Sequence, residues 1–170
     1  THTSSNTVKW QVTADGTMTN TGQPAFLATP SSQQDNLATD AADTVDFATQ
    51  IIDQGSDYNT GAETVNSVSN VYGHFIAPVT GMYQFSISLY LRNLDSTAGY
   101  YQVILVTGNR SYYSILDPDF GQNALYFTHQ LSVLADMDAG DFAYVGWYQD
   151  GGSAVTDVGT TSWWSGFLAC

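Results

Sequence analysis

The chain has 170 residues, of which 14% are aromatic and only 11% charged, with three basic against sixteen acidic side chains and a net charge of −13. That length suits one domain, large enough to bury a core without disulfide or metal staples. The charge argues against nucleic acid and anionic membranes as partners, because both are held by Lys and Arg; it suits solubility, salty surroundings or cation binding instead.

Thr, Ser, Tyr, Val and Gly dominate, which is the vocabulary of strands and turns. No window sustains apolar residues at i, i+3 and i+4, so the fold class is all-β. The single cysteine, Cys170, cannot form an intrachain disulfide. No apolar run is long enough to span a bilayer or act as a signal core, and no membrane insertion is expected. The first residue is Thr1 rather than Met, which reads as a fragment or a processed product.

In chain order, residues 1–22 differ from the rest. Val8, Trp10 and Val12 alternate, Ala14-Asp15-Gly16 supplies a turn, and Thr17-Met18-Thr19 reads as a return strand. This stretch is an extended lead-in, or the end of something longer. From Gln23 onward, short strands alternate with turn clusters in one unbroken domain, 23–170. Ala25-Phe26-Leu27-Ala28 comes first and Pro30-Ser31-Ser32 closes it; a polar stretch leads to a strand over 44–50 and a turn at 53–57. Residues 71–77 form a strand broken at Ala77-Pro78 and turned at Thr80-Gly81.

The next strand carries the clearest pattern: Tyr83, Phe85, Ile87, Leu89 and Leu91 face one way, and Gln84, Ser86 and Ser88 the other. A period of two marks a half-buried antiparallel strand. Strands follow at Tyr100–Thr107, ended by Gly108-Asn109, and Ser111–Leu116, ended by Asp117-Pro118-Asp119. In 125–134, Phe127, His129, Leu131 and Val133 alternate with Tyr126, Thr128, Gln130 and Ser132. The turn Asp138-Ala139-Gly140-Asp141 leads into 142–149, Gly151-Gly152-Ser153 turns the chain again, and 163–169 closes it. Strands at this spacing favour a sandwich or jelly roll.

Catalytic patterns are missing. His74 and His129 lie within strands, where a lone His usually packs, and there is no Gly-x-Ser-x-Gly elbow, Walker loop or zinc spacing. The Asp residues sit mostly in turns, which Asp favours on its own account. Asp136-Met137-Asp138-Ala139-Gly140-Asp141 starts like an EF-hand loop but fails it, with Gly140 at the third-ligand position and Trp147 where the closing Glu belongs. Calcium at such acidic loops is compatible with the sequence, no residue set is assigned to it, and no cofactor is required.

Adjacent aromatics recur at Tyr100-Tyr101, Tyr112-Tyr113, Tyr126-Phe127, Trp147-Tyr148 and Trp163-Trp164. Neighbours on a strand point to opposite faces, so one of each pair belongs to the core and the other lies outside it. Outward Tyr and Trp fit a subunit interface or a sugar-stacking surface, and so many pairs favour the interface. Tyr101, Tyr113, Tyr126, Tyr148 and Trp164 are the interface candidates.

Several blocks, in order, resemble the C1q globular-head family. They are Pro24-Ala25-Phe26-Leu27-Ala28; Val45-Asp46-Phe47 with Asp53 to Asn59; the run from Tyr72 to Ser86 with Phe75, Pro78, Gly81, Tyr83 and Phe85; Gly140-Asp141-Phe142; and Trp164-Ser165-Gly166-Phe167-Leu168. Trp164 stands where the family's closing motif has Phe. The resemblance covers about 23–170 and implies a ten-stranded jelly roll of the C1q/tumour-necrosis-factor type, assembled as a homotrimer, binding through exposed loops and not an enzyme.

Residues 1–22 carry no collagen-like repeat, and this lead-in is similar to the end of a phage tail-fibre shaft. The block Asn93-Leu94-Asp95-Ser96-Thr97-Ala98-Gly99-Tyr100-Tyr101 also resembles the C-terminal heads of marine bacteriophage fibre proteins. The resemblance therefore implies a receptor-binding head on a virion, attaching to a bacterial surface glycan or protein. The alternatives are a bacterial or environmental lectin or adhesin acting extracellularly, and a purely structural trimerisation cap. Polarity and turn content pick out the loops 94–99, 117–123 and 150–161 as ligand surfaces, with Asp95, Tyr100, Asp117, Asp119, Asp150 and Asp157 as candidate contacts.

Overall fold

A computed structural model describes residues 10–61 and 72–170, with the backbone of 64–65 and 68–69 between them. The strands in chain order are β1 (Trp10–Val12), β2 (Met18–Asn20), β3 (Ala25–Thr29), β4 (Asp43–Thr44), β5 (Thr49–Gln54), β6 (Tyr58–Asn59), β7 (Thr64–Val65) and β8 (Val68–Ser69). They continue as β9 (His74–Ile76), β10 (Gly81–Leu94), β11 (Tyr100–Thr107), β12 (Ser111–Leu116), β13 (Ala124–Met137), β14 (Phe142–Asp150), β15 (Asp157–Val158) and β16 (Trp163–Leu168). Two sheets stack face to face. The first runs β13-β10-β16-β3-β5, with β15 added to β10; the second runs β12-β11-β14-β9-β6, with β4 added to β14. The ten strands on these two paths make the expected antiparallel jelly-roll sandwich.

The core follows from the period of two. Tyr83, Phe85, Ile87, Leu89 and Leu91 of β10 are all buried and face Tyr101, Val103 and Leu105 of β11 and Val145 and Trp147 of β14. At one end the aromatics converge: Phe26 stacks on Tyr58 at 4.9 Å and on Phe75 at 5.0 Å and meets Trp164 edge-on at 4.5 Å. Gly166 makes this cluster possible, since a Cβ there would lie 2.6 Å from Phe85 and 2.7 Å from Phe26.

Two expectations change. The strand expected over 44–50 is a crossing between sheets: Asp43–Thr44 pairs with β14 of the second, Thr49–Gln54 with β3 of the first, and Val45 and Phe47 between them are fully buried. Tyr101 and Trp164, taken as interface residues, are core residues with no exposed surface. Tyr101 shares strand parity with Val103 and Leu105, and its hydroxyl accepts from Asp95 N at 2.7 Å. The Trp164 indole donates to the Tyr58 hydroxyl at 3.0 Å. Their outward neighbours are Tyr100 and Trp163. Among the other interface candidates, Tyr113 and Tyr126 are exposed and Tyr148 is half-buried.

The lead-in folds as a hairpin of β1 and β2 in which Trp10 pairs with Asn20 and Val12 with Met18. Trp10, Val12 and Met18 therefore share one face, and all three are exposed. Val8 lies outside the described residues.

Candidate functional site

The outer face of the first sheet can be read as cross-strand rows. One row holds Gln130, Ser88 and Trp163; the next Ser132, Ser86, Ser165, Leu27 and Ile52; the next Leu134, Gln84, Phe167, Ala25 and Gln54. Ser132 accepts a hydrogen bond from Gln84 at 2.9 Å and lies 3.3 Å from the Ser86 hydroxyl. Around this hydroxyl strip Ile52, Leu134, Trp163 and Phe167 are all exposed. Leu27, Thr29 and Trp163 line one hollow on this face, and Trp163 also borders a second over Ser86, Gln130 and Ser132.

A different hollow, of about 480 Å³, opens at the loop end of the sandwich, where β10 ends, β13 begins and the segment 151–156 returns. Asn93, Asn123, Ala124, Leu125, Ser153, Ala154 and Val155 line it. Its size falls within the usual range for small-ligand sites. The structure thus brings together the margins of the three loops chosen from sequence.

Two buried carboxylates hold those loops in place. Asp95 is 1% exposed. Its Oδ1 accepts from the Thr97 amide at 2.9 Å and the Thr97 hydroxyl at 2.8 Å. Its Oδ2 accepts from the Ser153 amide, from the Ser153 hydroxyl at 3.0 Å and from the Ala154 amide at 2.8 Å. Hydrogen bonds to the charged form, those from the Thr97 and Ala154 amides foremost, hold this carboxyl well below the usual range. Asp157, also buried, accepts from the Asn36 amide at 2.9 Å and from the Asn93 side-chain amide at 2.7 Å. Below them Gln149, fully buried, donates to the carbonyls of Gly151 and Ala154 and accepts from the Thr156 hydroxyl. Gly152, at φ +92°, lets the turn pass within 3.0 Å of Asp95 at its Cβ position.

The six candidate contacts consequently divide. Asp95 and Asp157 are corrected to internal anchors, their oxygens taken by the loops they hold. Tyr100 and Asp150 pair across β11 and β14 on the outer face of the second sheet, where Tyr100 packs on Tyr148 at 5.7 Å. Asp117 and Asp119 are exposed in their own loop, and neither lines the hollow. Asn93, Asn123 and Gln149 were not among the candidate contacts, although Asn123 closes the chosen loop 117–123. Asn93 carried a signal, since Asn is among the few residues that tolerate its φ of +61°.

The remaining chemistry is structural. Ser114 Oγ lies 2.9 Å from His129 Nε2, but the buried Nδ1 has no partner among the described residues, so no carboxylate orients the ring as a relay would need. Burial holds His129 below the ordinary imidazole value, and burial also lowers His74, partly offset by its bond to the Tyr72 carbonyl. The acidic turn closes on itself: Asp141 accepts from the Asp138 amide, and Asp136 pairs with Arg110 at 2.9 Å. Among the described residues no three His, Cys, Asp or Glu side chains are grouped to hold a metal, and no helix is long and apolar enough to cross a membrane.

A family model, the C1q domain, matches residues 25–169. No curated protein matches the chain. Among solved structures, the globular domain of zebrafish complement 1qA is similar, at 16% identity and TM-score 0.59, over 87% of this chain and 98% of that one. Murine APRIL (8%, 0.57, over 86% and 98%) and PRD1 vertex protein P5 (13%, 0.54, over 87% and 96%) are also similar. At these identities the likenesses establish the fold. Domains of the matched class form homotrimers, bind receptors and are generally not enzymes.

Proposed function

The chain belongs to the C1q domain family, and on that premise we propose that it is the trimeric, non-enzymatic binding head of a virion appendage such as a tail fibre, attaching to a glycan or protein on a bacterial surface. The observation that carries the trimer is the outer face of the first sheet. Leu27, Ile52, Trp163 and Phe167 present apolar surface from three adjacent strands, β16, β3 and β5, and Leu134 adds to it from β13 beyond the polar residues of β10, on a protein of charge −13. Exposed apolar surface grouped in this way marks a protein contact.

Attachment is assigned to the loop end, where the sandwich carries its hollow. The virion placement draws on the fibre-like sequence blocks, on the exposed Trp10-Val12-Met18 face of the hairpin as the end of a shaft, and on the shared fold of a vertex protein. An isolated two-stranded hairpin is marginal in water and gains from company along such a shaft.

Light scattering tests the assembly. A three-fold oligomer is expected at micromolar protein, Trp163→Glu should dissociate it, and a monomeric wild type refutes the proposal. Fluorescently labelled head added to a panel of bacterial isolates tests attachment. Binding to none of them favours the rival reading, a trimerisation cap.

A further inference from the structure

We infer that the loop-end hollow recognises the acetamido group of an N-acetylated saccharide. The inference rests on the binding-head reading and names the ligand class of that site.

Two side-chain amides at the hollow are held in opposite senses. Only the nitrogen of Asn93 can donate to a carboxylate, and Nδ2 does so to Asp157 at 2.7 Å. Its oxygen is therefore the free end, an acceptor. Asn123 is fixed in the opposite sense: its Oδ1 accepts from the Ser96 amide at 2.9 Å and from the Ser96 hydroxyl at 3.0 Å. Its nitrogen is the free end, a donor. Both residues line the same hollow, and among the described residues their side chains bond only at the other ends, to Asp157 and Ser96. One donor and one acceptor, each held by a separate anchor, complement a secondary amide, which carries one N–H and one carbonyl.

The rest of the lining sorts the amides. Ala124, Leu125, Ala154 and Val155 supply an aliphatic wall for a methyl group. Ser153, whose hydroxyl donates to Asp95, keeps lone pairs to accept from a sugar hydroxyl. No charged side chain lines the hollow, and a net charge of −13 disfavours acidic sugars. A neutral N-acetylhexosamine meets all these conditions. Three hollows per trimer would gain further from a repeating glycan through avidity.

The test is titration of the full chain with N,N′-diacetylchitobiose, and with cellobiose, which has hydroxyls in place of the acetamido groups. Cellobiose should bind at least tenfold more weakly. Asn123→Asp keeps the oxygen that Ser96 requires and removes the donor, so it should lose at least tenfold in affinity with an unchanged melting temperature. Asn93→Gly, compatible with the positive φ, should lose affinity likewise. Equal affinity for the two disaccharides, or unaltered binding by Asn123→Asp, overturns the inference. So does equally tight binding of N-acetylalanine methylamide, which would make the site a peptide reader. A head that attaches to cells yet ignores the acetylated sugar overturns this inference alone; a head that does neither overturns the binding-head reading as well.

Discussion

Asp95→Ala should cost more stability than any other single change at the loop end. The carboxylate is 1% exposed and accepts five hydrogen bonds from Thr97, Ser153 and Ala154. A hydrogen bond to a charged group contributes about 1.5–3 kcal/mol. The losses do not sum, because Thr97 and Ser153 are exposed and their donors regain water once the acceptor is gone. The half-buried Ala154 amide and the slackened loops carry most of the penalty, about 3 kcal/mol in all. In a domain of this size that lowers the melting temperature by about 6–12 °C. Calorimetry at matched protein concentration measures it, since oligomers melt in a concentration-dependent way.

The pH dependence is a second readout of the same residue. Because the folded carboxyl is held below its unfolded value, its stabilisation is fully present above about pH 4 and is lost only as pH falls through the folded value. The gap between wild type and Asp95→Asn should therefore be constant from pH 5 to pH 8. A melting temperature within about 2 °C of wild type for Asp95→Ala, or a gap that closes near pH 6, refutes the reasoning.

Three further outcomes are expected. Trp164→Phe removes the indole donor to Tyr58 and part of a fully buried ring; urea denaturation should register a loss of about 1–2 kcal/mol. Gly166→Ala pushes a methyl into Phe85 and Phe26 and should cost about 1–3 kcal/mol by overpacking, read as a lower denaturation midpoint. His129 is buried neutral with its folded pKa below the unfolded value, so its contribution is lost as pH falls from about 6.5 toward the folded value. His129→Leu should flatten part of the stability loss between pH 7 and pH 5, with His74 retaining the remainder.

The long strands were legible in sequence because side-chain parity and sheet face are the same variable. The alternation in β10 and β13 marks the inward sets from sequence alone, and the antiparallel register sets them side by side on one face of the first sheet. The aromatic pairs were legible only halfway: adjacency requires that one member turn inward, while the strand neighbours decide which. Val103 and Leu105 shared parity with Tyr101 and already pointed to the answer. The crossing at 43–54 was hidden because Val45 and Phe47 keep a strand-like pattern while the backbone changes sheets. The hollow was not legible, because its lining comes from three separated segments. The turn of each Asn amide depends on a partner, Asp157 or Ser96, that only the tertiary structure supplies. Turn-forming Asp residues drew attention by their charge, and two of them proved to be the anchors behind the surface.

Placing the fixed charges behind the loops separates framework from specificity. Asp95, Asp157 and Gln149 hold the backbone from the protein side, so positions 124, 125 and 155 on the solvent side can vary without dismantling the loops. A library randomised at those three positions on constant anchors would yield heads of one architecture and many tastes. On the proposed reading as a binding head, the same division would let recognition be rewritten a side chain at a time.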